Sequence, residues 1–135
     1  MLGYYDDQER TNQVLKNGWL YTGDIAVLNK AGFIKIIGRD DELIIKAGMN
    51  IYPQEIERVL SSDKRVKEVL VYGFKSDSGV VQIGLKLAGD FLSVSEVKQL
   101  CIDRLPVFQI PSRIELVNDL PKNGSGKIIR GGNYV

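Results

Sequence analysis

The sequence predicts an α+β fold: a small domain with a mixed β-sheet flanked by helices, preceded by a β-hairpin. Three observations predict it. The apolar runs DIAVL (24–28) and FIKII (33–37) flank Asn29-Lys30-Ala31-Gly32, and Gly32 can take the positive φ that a hairpin turn needs. From Asp41 onward, strand-period and helix-period segments alternate in the order β-α-β-β-α-β, which suits a small sandwich of mixed elements. The hairpin has little chain ahead of it to pack against, and two strands alone are marginal in water. It therefore reads as the end of something larger.

Residues 6–16 are polar with room for a short helix, and Asn17-Gly18 is a turn signal. Gly38-Arg39-Asp40-Asp41 interrupts the apolar pattern with a glycine and charges, so the domain boundary falls there: 1–38, then 39–135. ELIIK (42–46) is a short strand and AGMN (47–50) a tight loop. Pro53 suits a first helical turn, where its missing N–H would be unpaired anyway. Ile56, Val59 and Leu60 then share a face of a helix running to about Ser61. VKEVLVYGF (66–74) is a strand and SDSG (76–79) a turn. Val81, Ile83, Leu85 and Leu87 alternate with Val80, Gln82, Gly84 and Lys86, which predicts a strand with one buried face. Ser93-Val94-Ser95-Glu96 is a capping box, continued by Val97, Leu100, Cys101 and Leu105 as an amphipathic helix that ends before Pro106. SRIELV (112–117) is the last strand.

Composition narrows the function. There are 18 Lys plus Arg against 17 Asp plus Glu, a net charge of +1, so no general electrostatic attraction to nucleic acid is expected. The sequence has no histidine and one cysteine, Cys101. That argues against a transition-metal site, and no Ser-His-Asp or Cys-His mechanism can be built from this chain. A lone cysteine fits a reducing compartment, and the cytoplasm is the expected location. The N-terminus MLGYYDDQER is acidic and polar, unlike a signal or transit peptide. No apolar run approaches a transmembrane length.

LPKNGSGKIIR (120–130) places two lysines around two glycines. A phosphate-binding P-loop would need Gly at 121 and Ser or Thr at 128, where this chain has Pro121 and Ile128, so that reading fails. What remains is a flexible loop presenting Lys127. A lysine is a compact point charge with three donors, able to neutralise a carboxylate or phosphoryl oxygen as charge develops. Taken alone, the loop is better read as a solvated lysine in a surface turn.

Five motifs then stand in order: Tyr21-Thr22-Gly23-Asp24; Gly38-Arg39-Asp40-Asp41; Asn50-Ile51-Tyr52-Pro53-Gln54-Glu55-Ile56-Glu57; Leu105 to Pro111; and Pro121 to Lys127. Together they resemble the C-terminal part of the adenylate-forming superfamily of acyl-CoA synthetases, nonribosomal peptide adenylation domains and firefly luciferase. The resemblance runs from about residue 3 to about residue 130. It implies a small C-terminal lid domain that works with a large N-terminal adenylation domain. The implied chemistry has two steps. A carboxylic acid and Mg-ATP give an acyl-adenylate and pyrophosphate. The lid then rotates, and coenzyme A or the phosphopantetheine of an acyl-carrier protein takes the acyl group.

The resemblance assigns a role to each matching residue. Lys127 is the adenylation lysine. Asp24 holds the ribose hydroxyls of ATP, and Arg39 also contacts the nucleotide. Asp41 is the hinge of lid rotation. Gly48 lines the pantetheine tunnel, although Ala47-Gly48-Met49 stands where many CoA ligases have Gly-Gly-Glu. Glu55 and Glu57 are explained by the dipole at a helix start and are not assigned to catalysis. The phosphate loop and acid pocket of the superfamily are absent from this sequence, so the chain is expected to be inactive alone. A fatty or aryl acid is the expected substrate class. Amino-acid loading onto a carrier protein and a non-catalytic docking module are the alternatives. Lys122, Lys127 and Arg130 form a small basic cluster, too sparse and too poor in aromatics for nucleic-acid binding. Beyond Lys127 the superfamily continues into a short helix, for which Gly131-Gly132-Asn133 is poor material.

Overall fold

A computed structural model of the chain describes residues 1–91 and 93–131. Of the Gly131-Gly132-Asn133 tail, Gly132 and Asn133 lie outside the described residues. The chain opens with helix α1 (Gln8–Val14), capped by the Asp7 carboxylate accepting from the Arg10 amide. Strands β1 (Leu15–Lys16) and β2 (Trp19–Leu20) follow around Asn17-Gly18, which carry φ of 51° and 80°. Two successive positive φ values are what a tight two-residue hairpin requires.

Strands β3 (Asp24–Leu28) and β4 (Ile34–Arg39) pair antiparallel, as the alternation around Asn29–Gly32 predicts. The Asn29 Oδ1 accepts from the Ala31 and Phe33 amides, and Gly32 has φ 84°, so the turn is written in its own residues. The hairpin meets the rest of the fold chiefly where β4 runs beside α2. The Arg58 guanidinium donates to the Ile36 carbonyl at 3.1 Å. Gly38 passes so close to Tyr52 that a Cβ would sit 2.8 Å from the ring. Away from that contact Leu28, Phe33 and Ile34 are 71–73% exposed.

A 3₁₀ turn (Asp40–Glu42) leads into β5 (Ile44–Lys46) and β6 (Met49–Ile51). Here the structure departs from the expected loop at 47–50. Only Ala47 and Gly48, with φ of 50° and 78°, form the turn, and Met49 and Asn50 pair back onto β5. The order after Asp41 is thus β-β-α-β-β-α-β. Helix α2 (Pro53–Leu60) begins at Pro53 as expected. Its buried stripe is Pro53, Ile56, Glu57 and Leu60, spaced i, i+3, i+4, i+7. Val59 lies off that stripe and is 37% exposed, which corrects its assignment to the inner face.

Strands β7 (Val66–Lys75), β8 (Val81–Gly89) and β9 (Arg113–Leu116) form the main sheet in the order β7-β8-β9. The β7–β8 pair is antiparallel, and β8–β9 is parallel through a crossover containing helix α3 (Val94–Arg104). The Ser93–Glu96 capping box is present in both directions. The core lies between one face of this sheet, helices α2 and α3, and the β5–β6 hairpin: Ile44, Ile51, Ile56, Leu60, Ile83, Leu85, Leu87, Val97 and Cys101 are all at most 1% exposed. Each such aliphatic side chain contributes about 1.5–3 kcal/mol relative to exposure. The opposite sheet face is covered by its own side chains. Tyr72 lies over Gly84 and donates to Glu115 at 3.1 Å, and Arg113 stacks on Phe74 at 4.1 Å.

Candidate functional site

The expected nucleotide contacts meet at the root of the β3–β4 hairpin. Asp24 and Arg39 are paired across the two strands, and their side chains approach to 3.4 Å. Arg39 also grips Asp41 with both prongs, Nε to Oδ1 at 2.9 Å and Nη2 to Oδ2 at 3.2 Å, and reaches the Thr22 carbonyl at 3.3 Å. The hydrogen bonds that Arg39 donates to Asp41 hold Arg39 above its ordinary range and Asp41 below the usual carboxylate range. The Asp40 amide donates to the Gly23 carbonyl at 2.9 Å, tying the Thr22–Asp24 stretch to the start of the 3₁₀ turn. Thus three sequence-predicted residues form one constellation, with Asp24 and Asp41 on either side of a single guanidinium.

Lys127 sits elsewhere, and its setting differs from a flexible tether. Asn123 organises the loop: its Oδ1 accepts from the Ser125 amide, the Ser125 hydroxyl and the Lys127 amide at 2.7–3.0 Å. The Asn123 amide donates to the Lys127 carbonyl at 2.9 Å, and the Ile129 amide donates to the Pro121 carbonyl at 2.8 Å. Gly126, at φ 79°, turns the chain. The glycines serve this closed turn, not looseness. Lys127 stands exposed on it, beside an open cleft lined also by Glu42, Asn123 and Arg130.

The two lysines of the loop have different fates. Lys122 pairs with Asp119 at 3.0 Å and with Glu68. Among the described residues Lys127 has no ion-pair partner. Arg130 is bound too. It meets Glu57 through two bonds, Nη1 to Oε1 at 2.9 Å and Nη2 to Oε2 at 2.6 Å, and Glu42 at 3.2 Å. Among the described residues, the basic cluster read from the sequence therefore reduces to one cation without an ion-pair partner, Lys127.

Glu57, set aside in the sequence as a helix-dipole residue, is a buried carboxylate. Its Oε1 also accepts from the Val71 amide at 2.8 Å. Burial pulls the Arg130 guanidinium down, but the Glu57 bonds and the charges of Glu57 and Glu42 outweigh it and hold Arg130 above its ordinary range. Burial pushes Glu42 up, with the charge of Arg130 opposing. The available signal for Glu57 was its place between Ile56 and Leu60 on the inner stripe. Its partner, 73 residues away, had no local signal.

Gly48 lies at the tip of the β5–β6 hairpin, where an added Cβ would meet nothing within 4 Å. Its positive φ calls for glycine; crowding within this chain does not. Lys46 beside it reaches the Phe108 carbonyl at 3.5 Å. Among the described residues, no hydrogen bond or ion pair joins Gly48, Lys127 and the Arg39 constellation.

Comparison with known proteins identifies the family. Residues 55–127 match the AMP-binding enzyme C-terminal domain. The chain belongs to this family, the C-terminal domain of the adenylate-forming superfamily. Among curated relatives, a long-chain-fatty-acid–CoA ligase of Escherichia coli is 37% identical over 132 residues, 96% of this chain and 24% of the relative. A 2-succinylbenzoate–CoA ligase of Listeria monocytogenes is 40% identical over 129 residues, 95% of this chain and 28% of the relative. Among solved structures, the o-succinylbenzoate CoA synthetase of Bacillus subtilis with its acyl-adenylate intermediate superposes with TM-score 0.82 at 32% identity, covering 97% of this chain and 29% of that one. The same enzyme with ATP and magnesium gives 0.82 at 33% identity, covering 95% and 27%. The chain thus spans about a quarter of the length of the curated relatives it matches.

Proposed function

We propose that the chain is the lid, with the end of the large domain, of an ATP-dependent acid–CoA ligase. Residues 1–38 are the tail of the large N-terminal adenylation domain, and 39–135 are the lid. The observation that carries the reading is the state of Lys127: exposed, held on a closed turn, with its sequence neighbours Lys122 and Arg130 neutralised by carboxylates. A bare ammonium on a fixed mount is suited to the carboxylate of an acid substrate and the oxygens of a phosphoryl group. It stabilises charge that grows in the transition state of adenylation.

Asp24, 35% exposed in its side chain, accepts from vicinal ribose hydroxyls, and Arg39 donates to the same nucleotide. Binding there exchanges part of the Arg39–Asp41 pair for nucleotide contacts, and Asp41 is the hinge between the two catalytic poses. Gly48, on an open hairpin tip, lines the path of the pantetheine arm. Magnesium enters as the Mg-ATP complex. A fatty or aryl acid and coenzyme A are the substrates supported by the relatives' names. An acyl-carrier protein is the second acceptor class. The cytoplasm, where ATP and coenzyme A are at hand, is the proposed compartment.

The test is pyrophosphate release from Mg-ATP, coenzyme A and a panel of fatty and aryl acids. The chain is assayed alone, then joined to the large domain of the Bacillus subtilis synthetase in place of that enzyme's own C-terminal part. The chain alone should be silent and the fusion active. Lys127→Ala should lower adenylation by about 10²–10³-fold, the range for removing one preorganised donor. An active fusion indifferent to Lys127→Ala would sink the assignment. A folded fusion that never turns over, with a chain that still binds the separately expressed large domain, would shift it to a docking module.

A further inference from the structure

The Glu57–Arg130–Glu42 cluster, with Glu57 buried and its two partners half-buried, has no part in the reading above. We infer that Arg130 is a positioning residue for adenylation: it clasps the Lys127 turn to α2 and to the 3₁₀ turn at the lid's entrance, so that all three move as one body. This rests on Lys127 being the adenylation lysine.

Arg130 stands three residues beyond Lys127, on the returning limb of the same turn. The turn's own hydrogen bonds close it on itself but anchor it to little else. On its leading limb the anchors are the buried Leu120, whose amide donates to Glu68 at 3.1 Å, and the Lys122 pairs with Glu68 and Asp119. On its returning limb the anchor is Arg130. Its planar fork meets both oxygens of Glu57, whose side chain is only 11% exposed. Such a bidentate pair fixes direction as well as distance. Glu57 is itself fixed, by α2 and by the Val71 amide of the central sheet. The third member, Glu42, directly follows Asp41 and also accepts from Gln54. Any rotation about Asp41 is therefore transmitted through Glu42 and Arg130 to the mount of Lys127. A lysine that must meet a reacting oxygen gains from this, because misplacement by about 1 Å can cost on the order of 100-fold.

Lysine at 130 keeps the charge but loses the fork. Glutamine at 57 keeps an acceptor for the Val71 amide while removing the charge. In the fusion enzyme, Arg130→Lys and Glu57→Gln should each slow acyl-adenylate formation by about 10–100-fold. Transfer from preformed acyl-adenylate to coenzyme A should change less than about 3-fold, because Lys127 is withdrawn in that step. In the full chain alone, both variants should speed hydrogen exchange at the Lys127 and Ile129 amides while the Val71 and Leu85 amides keep their protection. Equal loss in both half-reactions, or no loss in either, overturns the clasp; so does unchanged exchange at Lys127 and Ile129. Lys127→Ala, run alongside, separates the cases: if it leaves adenylation intact, the proposed function itself has failed.

Discussion

Replacing Glu57 by leucine is the most informative single test of how the lid is held together. The side chain accepts from the Val71 amide at 2.8 Å and from Arg130 at 2.6 and 2.9 Å. Leucine leaves the Val71 N–H buried and unpaired, which costs about 1–3 kcal/mol. It also strips Arg130 of its main partner. Breaking a buried pair costs about 3–5 kcal/mol, and the lower end applies here because the Arg130 side chain is 27% exposed and keeps Glu42 at 3.2 Å. Burial of the leucine returns about 1.5 kcal/mol. The net is about 3 kcal/mol of lost stability. Glu57→Gln retains an acceptor for Val71 and should lose about 1–2 kcal/mol less. The double variant Glu57→Leu with Arg130→Met removes both charges and should be more stable than Glu57→Leu alone. Urea unfolding followed by far-ultraviolet circular dichroism measures all of these; Trp19, 74% exposed, is a poor fluorescence probe. With a slope of about 1–3 kcal/mol per molar urea, the Glu57→Leu midpoint should fall by roughly 1–3 M. A midpoint within about 0.3 M of the unaltered chain would refute the reasoning, because it would mean that neither the amide nor the guanidinium depends on the carboxylate.

Other perturbations probe local devices. Gly89→Ala places a Cβ 2.2 Å from the Arg65 carbonyl oxygen, a backbone atom that cannot swing aside. It should cost about 1–3 kcal/mol by thermal unfolding, as overpacking does. Ser93→Ala removes the cap of α3, with its Oγ at 3.3 Å from the Glu96 amide, and should cost about 1 kcal/mol in the same assay. Asp63 is held down to about 2, from an ordinary 3.8, chiefly by its hydrogen bonds from Arg65. Its stabilisation is therefore present above pH 3.8 and lost as pH falls toward 2. Asp63→Asn should lower the melting temperature at pH 7 and lower it much less at pH 2, where Asp63 is largely protonated in the unfolded chain and about half protonated in the folded one; an equal loss at both would refute the assignment.

The sequence determined by itself what is local. Asn29 and Gly32 write the β3–β4 turn, Ser93 and Glu96 write the start of α3, and the alternation at 81–87 writes the buried face of β8. Each depends on residues within a few positions of one another, so propensity and spacing suffice. The ordered motifs likewise named the family, because they run the length of the chain. Tertiary structure decided the rest. The loop around Lys127 read as flexible because its glycines were visible, while the Asn123 bonds that close it depend on the backbone path. Lys122, Lys127 and Arg130 looked alike as cations, and contacts with Glu68 and Asp119 for Lys122 and with Glu57 and Glu42 for Arg130 set those two apart from Lys127 among the described residues. Glu57 read as a helix-end charge because its partner lies 73 residues away. A buried charge is tolerated only where another element supplies its counter-charge and its donors, and that supply exists only once the chain has folded.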